Sequence, residues 1–96
     1  MVTHVLLLKL HPEEAISTRR HWVQEQARLF FDEFPQSCFT WKTPIADDLQ
    51  KWDGLILIEG QDLEEIQGIL ESSSYHNWLT QINPFLACIK GWSFTS

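Results

Sequence analysis

Glycine, proline and cysteine are all scarce in this chain of 96 residues, which has four glycines, four prolines and two cysteines. Because glycine and proline are so few, the sequence contains no linker and no low-complexity segment. We therefore interpret residues 1–96 as a single domain. The two cysteines, Cys38 and Cys88, lack the close spacing of a redox motif or a zinc knuckle. They therefore point to no thiol chemistry.

Basic residues are also few, and this limits the kinds of partner. Seven Lys and Arg residues face thirteen Asp and Glu residues, which gives a net charge of -6. Such a chain has no basic surface for nucleic acid or for an anionic membrane. No apolar run approaches the roughly 20 residues of a membrane span, and the first residues lack the basic start of a signal peptide. We predict neither nucleic acid nor membrane as a partner, and a cytoplasmic location.

The sequence offers no motif for a metal ion or a cofactor. Its four histidines, His4, His11, His21 and His76, are scattered and form no helical i,i+4 pair. It contains no glycine-rich phosphate loop and no GxSxG motif. We therefore predict no metal site and no cofactor.

Hydrophobic periodicity predicts an alternation of strands and helices. "VTHVLLLKL" is rich in β-forming residues and too short for a buried helix. "HPEE" favours a helix start, with the proline in the first turn. We predict strands over 2–10, 37–43, 52–60 and 87–96, helices over about 13–33 and 61–72, and a polar connection over 44–51. A short further helix, capped by Ser73 or Ser74, would hold Tyr75 and Trp78.

This order, β-α-β-β-α-β, predicts a ferredoxin-like α+β unit. Its helices would cover one face of a four-stranded antiparallel sheet, while the other face is also apolar and needs a partner. We predict a homodimer in which two sheets pack face to face as a dimeric α+β barrel. Cys38 and Cys88 would then lie on opposite sheet edges, too far apart for a disulfide within one chain.

Several segments together resemble a known family. "MVTHVLLLKL", "WDGLILIEGQDLEEI" and "YHNWL" followed by "INPFL" are similar to the stress-responsive dimeric α/β-barrel (Dabb) domain. The resemblance implies a homodimer with a pocket between sheet and helices. Most members have no assigned activity. A well-understood relative, olivetolic acid cyclase, is a cofactor-free polyketide cyclase, and more distant relatives are cofactor-free monooxygenases.

The resemblance also implies candidate catalytic positions. His4 matches the pocket histidine of strand one, and Tyr75 falls where the cyclase has its catalytic histidine, with His76 one position later. The cyclase's pocket tyrosine corresponds to Ile69, and its strand-three histidine to Gly54, so the catalytic pair is not matched as such. The predicted catalytic residues are His4, Tyr75 and His76, and the predicted substrate-binding residues are Val23, Ala27, Ile69 and Trp78.

One residue along a helix turns a side chain by about 100°, so if Tyr75 faces a pocket, His76 points elsewhere unless the serine turn is wound differently. The family register predicts that Tyr75 turns toward His4, that His76 turns toward the rim and that Trp78 packs beneath. A structural role without catalysis is the alternative for each of the three residues. His4 would be a neutral core histidine, Tyr75 a packed ring and His76 an exposed helix residue.

Two functions of different kinds follow. One is a cofactor-free enzyme that acts on a polyketide-like or aromatic compound, either as a cyclase or like the monooxygenases. The other is a dimer that binds a hydrophobic small molecule or serves in a stress response without catalysis. The unmatched catalytic pair favours the second, and His4 with Tyr75 and His76 keeps the first open.

Overall fold

The computed structural model describes residues 1–43 and 52–95. In these residues, four strands form one layer and three α-helices form a second layer. The strands are β1 (Val2–Leu10), β2 (Cys38–Lys42), β3 (Gly54–Gly60) and β4 (Leu86–Thr95), and the helices are α1 (Ile16–Phe31), α2 (Leu63–Leu70) and α3 (Ser73–Ile82). A single 3₁₀ turn, Asn83–Phe85, links α3 to β4. The predicted polar connection over 44–51 lies outside the described residues.

The strands form one antiparallel sheet in the order β2-β3-β1-β4. This topology confirms the predicted ferredoxin-like α+β fold. It also places β2 and β4 at opposite edges, and Cys38 and Cys88 are both free thiols, as predicted.

Burial along the central strands alternates strictly, so the sheet has two different faces. On β1 the even-numbered residues are buried and the odd-numbered ones are half-buried. The buried side meets the helices in a core that includes Leu8, Ile56 and Ile66. Aromatic rings fill the centre of the helix layer, where Phe30 contacts both Tyr75 and Trp78 at centroid distances of 5.6 and 5.3 Å.

The other side of the sheet, here called the open face, carries no helix in the described part of the chain. Cross-strand pairing puts Val5 opposite both Leu57 and Trp92, and Leu7 opposite Leu55. The open face also includes Phe94, which is 54% exposed, and Trp92 is 47% exposed. The centre of this face is thus apolar.

The first helix begins later than predicted. The sequence placed its start near Glu13, but α1 begins at Ile16 after Ala15, which provides no side-chain cap. The backbone N–H of His11 is still bound to the Phe85 carbonyl at 2.9 Å. The chain therefore uses the following residues, Pro12 included, to step from the sheet to the helix layer about 10 Å away.

A serine separates α2 from α3, but it is not the one predicted. Ser72, rather than Ser73 or Ser74, is the N-cap of α3: its backbone is extended and its Oγ accepts a hydrogen bond from the Tyr75 backbone N–H at 3.2 Å. The same hydroxyl donates to the Ile69 carbonyl at 2.6 Å. One side chain thus bonds the end of α2 and the start of α3.

Candidate functional site

His4 is a buried histidine on the helix-facing side of β1. Its side chain lies among apolar neighbours, and the residue is 8% exposed. Burial lowers the pKa of His4 below its ordinary value, because desolvation disfavours the charged ring. The imidazole is therefore neutral near neutral pH and can accept a proton or a hydrogen bond.

The two ring nitrogens of His4 have different surroundings. Nδ1 lies 2.8 Å from the Ser93 Oγ on the neighbouring strand β4. Nε2 has no hydrogen bond within the described residues, and it is not sealed off, because every fully enclosed side-chain nitrogen and oxygen there has a partner. Nε2 points toward Gly91, where an added Cβ would lie 2.9 Å from it.

Tyr75 turns its ring inward from α3, whereas its approach to His4 stays a prediction. It is 7% exposed and packs edge-on against Phe30. Burial raises the pKa of Tyr75 to about 12, so the phenol stays protonated and is a hydrogen-bond donor rather than a base. Its hydroxyl makes no hydrogen bond to the described residues and, like Nε2 of His4, is not sealed off.

His76 is the next residue along α3, about 100° further around the helix, and is exposed. Its ring contacts Tyr75 edge-on at a centroid distance of 6.0 Å, and its backbone N–H donates to the Ser72 carbonyl at 3.1 Å. The structure therefore brings His76 beside Tyr75 but points it outward. A catalytic role for His76 stays a prediction.

The four predicted substrate-binding residues are all buried core residues. Val23 and Ala27 are on α1, Ile69 is on α2 and Trp78 is on α3. The Trp78 indole Nε1 donates to the Val23 carbonyl at 3.4 Å, which ties α3 to α1. Their contact with a ligand stays a prediction.

Surface grooves in the described region lie elsewhere. One runs between α1 and α3 past Leu29, Phe30 and Trp78. Another lies at the end of β1 beside Arg20 and Asp53. His4, Tyr75 and His76 line neither of them.

Three residues with defined contacts here were not singled out from the sequence: Ser93 and Gly91 lie beside His4, and Asp53 lies at the other end of β1. Ser93 could have been found only from the pairing of β1 with β4, which puts it opposite His4. Asp53 is buried, and its carboxylate accepts from the Leu10 N–H at 2.7 Å and from the Arg20 Nε at 2.6 Å. Its backbone N–H also donates to Leu8 at 2.7 Å. Asp53 thus joins the end of β1 to α1.

The described residues contain no group of three or more His, Cys, Asp and Glu side chains that could hold a metal ion. Among the helices over these same residues, none is long and apolar enough to cross a membrane.

Comparison with known proteins gives matches in structure but not in sequence. No family model and no curated protein matches this chain. A dimeric protein of unknown function with a ferredoxin-like fold from Bacteroides fragilis superposes with a TM-score of 0.83 at 11% identity, over 99% of this chain and 95% of that one. A dabb family protein with a ferredoxin-like fold from Mesorhizobium loti has a TM-score of 0.76 at 10% identity, covering 99% and 95%.

A cofactor-independent oxygenase from Streptomyces nogalater, SnoaB, is also similar. It superposes with a TM-score of 0.74 at 17% identity, over 99% of this chain and 91% of that one. Identities this low show the fold alone. The chain therefore shares its fold with dimeric ferredoxin-like proteins, a dabb family protein and an oxygenase, while its relation to olivetolic acid cyclase stays a prediction.

Proposed function

We propose that this protein is a Dabb-like homodimer that binds a hydrophobic small molecule on the helix-facing side of its sheet, with His4 as the polar contact. Among the described residues, His4 and Asp53 are the buried polar side chains. Asp53 uses both carboxylate oxygens within the protein. His4 leaves Nε2 without a protein partner and not sealed off, so a polar group of a ligand can bond to it. This unused nitrogen is the observation that carries the proposal.

The surroundings of His4 define the class of ligand. Its neighbours on the same side of the sheet, Val2, Leu6 and Ile58, are buried and apolar. A neutral imidazole among them fits a hydroxyl or a carbonyl on an otherwise apolar body. A charged ligand is disfavoured, because its charge would lose water without gaining an opposite charge.

A thermal-shift screen with apolar phenols and ketones tests this proposal. A ligand at 100 times its dissociation constant stabilises the folded chain by about 2.7 kcal/mol. His4→Phe keeps a ring but removes the nitrogen, and we expect it to weaken binding by about fivefold, since a neutral hydrogen bond is worth about 1 kcal/mol. His76→Phe, a change of an exposed histidine, is the matched control. Equal stabilisation of the His4→Phe variant and the wild type would contradict the proposal.

The proposed homodimer forms through the open face of the sheet. Its centre, around Leu57 and Val5, is apolar, and Lys42 and Lys90 lie on the edge strands that flank the row of Leu55 and Leu7. An apolar centre with a charged rim is the usual anatomy of a protein interface. Similar solved structures are described as dimeric.

Leu57→Glu tests the dimer, because it puts a charge at the centre of the open face. We expect it to convert the dimer into a folded monomer in sedimentation velocity, with unchanged circular dichroism. Leu29→Glu is the matched control: Leu29 is an exposed leucine of α1, 57% exposed, and its replacement should leave the dimer intact. A wild-type protein that sediments as a monomer at micromolar concentration would contradict the proposal.

A second candidate function, a cofactor-free cyclase, is favoured by Tyr75. Its protonated hydroxyl faces inward and has no hydrogen-bond partner within the described residues. In an aldol ring closure, His4 would take a proton from the carbon next to a carbonyl, and the resulting enolate would attack a second carbonyl. Tyr75 would give its proton to the new alkoxide and be reprotonated from His4.

Turnover of a linear poly-β-ketone tests the cyclase. Tyr75→Phe and His4→Phe should each reduce the rate of ring closure in folded protein, and His76→Ala should do less. Oxygen uptake in the presence of an electron-rich aromatic compound tests the monooxygenase-like alternative, which the similarity to SnoaB suggests. If the protein binds a ligand but shows neither activity, the first proposal, a ligand-binding protein without catalysis, is supported.

A further inference from the structure

We propose that Gly91 and Ser93 of β4 are positioning residues that hold the His4 imidazole with Nε2 toward the edge of the sheet, so that the ligand reaches His4 across β4. This inference rests on the proposed function and names the side from which its site is entered. Neither residue was among the candidates that the sequence offered.

The argument begins with the register of β1 against β4. His4 pairs with Ser93, Leu6 with Gly91 and Val2 with Thr95. Directly opposed residues of antiparallel strands point to the same side of a sheet. Gly91, Ser93 and Thr95 therefore share the helix-facing side with His4, and we call these three residues the β4 strip.

The β4 strip differs from the rest of that side of the sheet. The helix-facing residues of β1 and β3 are buried, whereas Gly91, Ser93 and Thr95 are all exposed. None of the three has a side chain larger than that of threonine. The β4 strip is therefore an open, shallow surface beside a buried histidine. A flat group has room above this surface.

A row of small residues alone does not make a site, but here a polar atom faces it. Nε2 of the buried His4 lies 2.9 Å from the position that a Cβ on Gly91 would take. Nε2 has no hydrogen bond to the described residues. The strip and the unused nitrogen together make a site for a flat, apolar ring that carries a hydroxyl or a carbonyl, such as a substituted phenol.

The orientation of the His4 ring depends on both β4 residues. Ser93 contacts Nδ1 at 2.8 Å and so fixes one edge of the ring. On Gly91, an added Cβ would lie 2.9 Å from Nε2, 3.3 Å from Cε1 and 3.0 Å from Cδ2 of Leu6. Any side chain there would push the ring away, because carbon atoms do not normally approach so closely. Glycine is thus required by the close approach of the imidazole.

Histidine-ring NMR tests the positioning role without a ligand. In the wild type, ¹⁵N shifts of His4 should report one dominant neutral tautomer, because Ser93 bonds one nitrogen and leaves the other free. Ser93→Ala should mix the two tautomers, and Ser93→Thr, which keeps the hydroxyl, should restore the wild-type shifts. A purely structural serine would leave these shifts unchanged. Unchanged His4 shifts in Ser93→Ala would overturn the inference.

Ligand binding tests the entry side. For a phenol that binds the wild type, Gly91→Ala should weaken binding by about fivefold, the loss of one neutral hydrogen bond. Gly68→Ala on α2 is the matched control, since an added Cβ there meets nothing within 4 Å. Equal binding by Gly91→Ala would overturn the inference and leave the proposed function standing. If no compound binds the wild type, the proposed function fails, and the ring NMR still decides the positioning role.

Discussion

Tyr75 is the single tyrosine of the chain, so its ionisation can be followed by tyrosinate absorbance without interference from another phenol. We expect it to titrate in the folded protein with a pKa of about 12, because burial raises it from the ordinary value of about 10. The unfolded chain has no such burial. Folding therefore keeps a proton on Tyr75 that the unfolded chain loses above about pH 10.

The sign of the effect on stability follows from this proton. Below about pH 10 the phenol is neutral in both states, so it does not make stability depend on pH. Above about pH 10 only the unfolded chain ionises, so the free energy of unfolding falls, until the folded phenol also ionises near its pKa of about 12. The loss in the free energy of unfolding is about 1.4 kcal/mol at about pH 11 and approaches about 2.7 kcal/mol above the folded pKa.

Urea unfolding of the wild type and Tyr75→Phe at about pH 8 and about pH 11 measures this loss. All other ionisable groups are the same in both proteins, so their effects cancel in the difference. We expect the wild type to lose about 1.4 kcal/mol more than Tyr75→Phe between the two values. A tyrosinate titration centred near pH 10 while circular dichroism still reports folded protein would refute the reasoning, because it would place the Tyr75 ring in water.

Three further predictions follow from single contacts. Asp53→Ala should cost about 3 kcal/mol in urea unfolding, because it leaves the Leu10 N–H and the Arg20 guanidinium without their acceptor; Asp32→Ala, in the turn after α1, should cost less than about 0.5 kcal/mol. Ser72→Ala should cost about 1 kcal/mol through loss of the α3 cap, and no loss would show that the cap does not stabilise the helix. Burial lowers the pKa of His4, so the wild type should lose stability relative to His4→Phe as pH falls below about 6.5; parallel pH profiles would contradict a buried neutral ring.

Local patterns in the sequence were sufficient for the fold. β1 and β3 alternate strictly, and a period of two on both strands specifies which side meets the helices. The inward turn of Tyr75 and the outward turn of His76 also follow from local geometry, because one residue of a helix is about 100° of rotation.

Long-range pairing limited what could be said about the site. His4 and Ser93 are 89 positions apart, and only the register of β1 with β4 shows that they touch. The contact of Gly91 with the His4 ring has the same origin. The start of α1 was misplaced for a related reason: the step from sheet to helix layer is imposed by packing, whereas the proline and acidic residues before it indicated an earlier start.

The most direct test of the account is a crystal structure of the protein with a phenol that stabilises it in the thermal-shift screen. The account predicts that the phenol oxygen lies within hydrogen-bonding distance of the His4 Nε2, that its ring lies over Gly91 and Ser93, and that the open faces of two chains are packed together. A phenol bound away from His4, with Nε2 still unpartnered, would contradict the central claim.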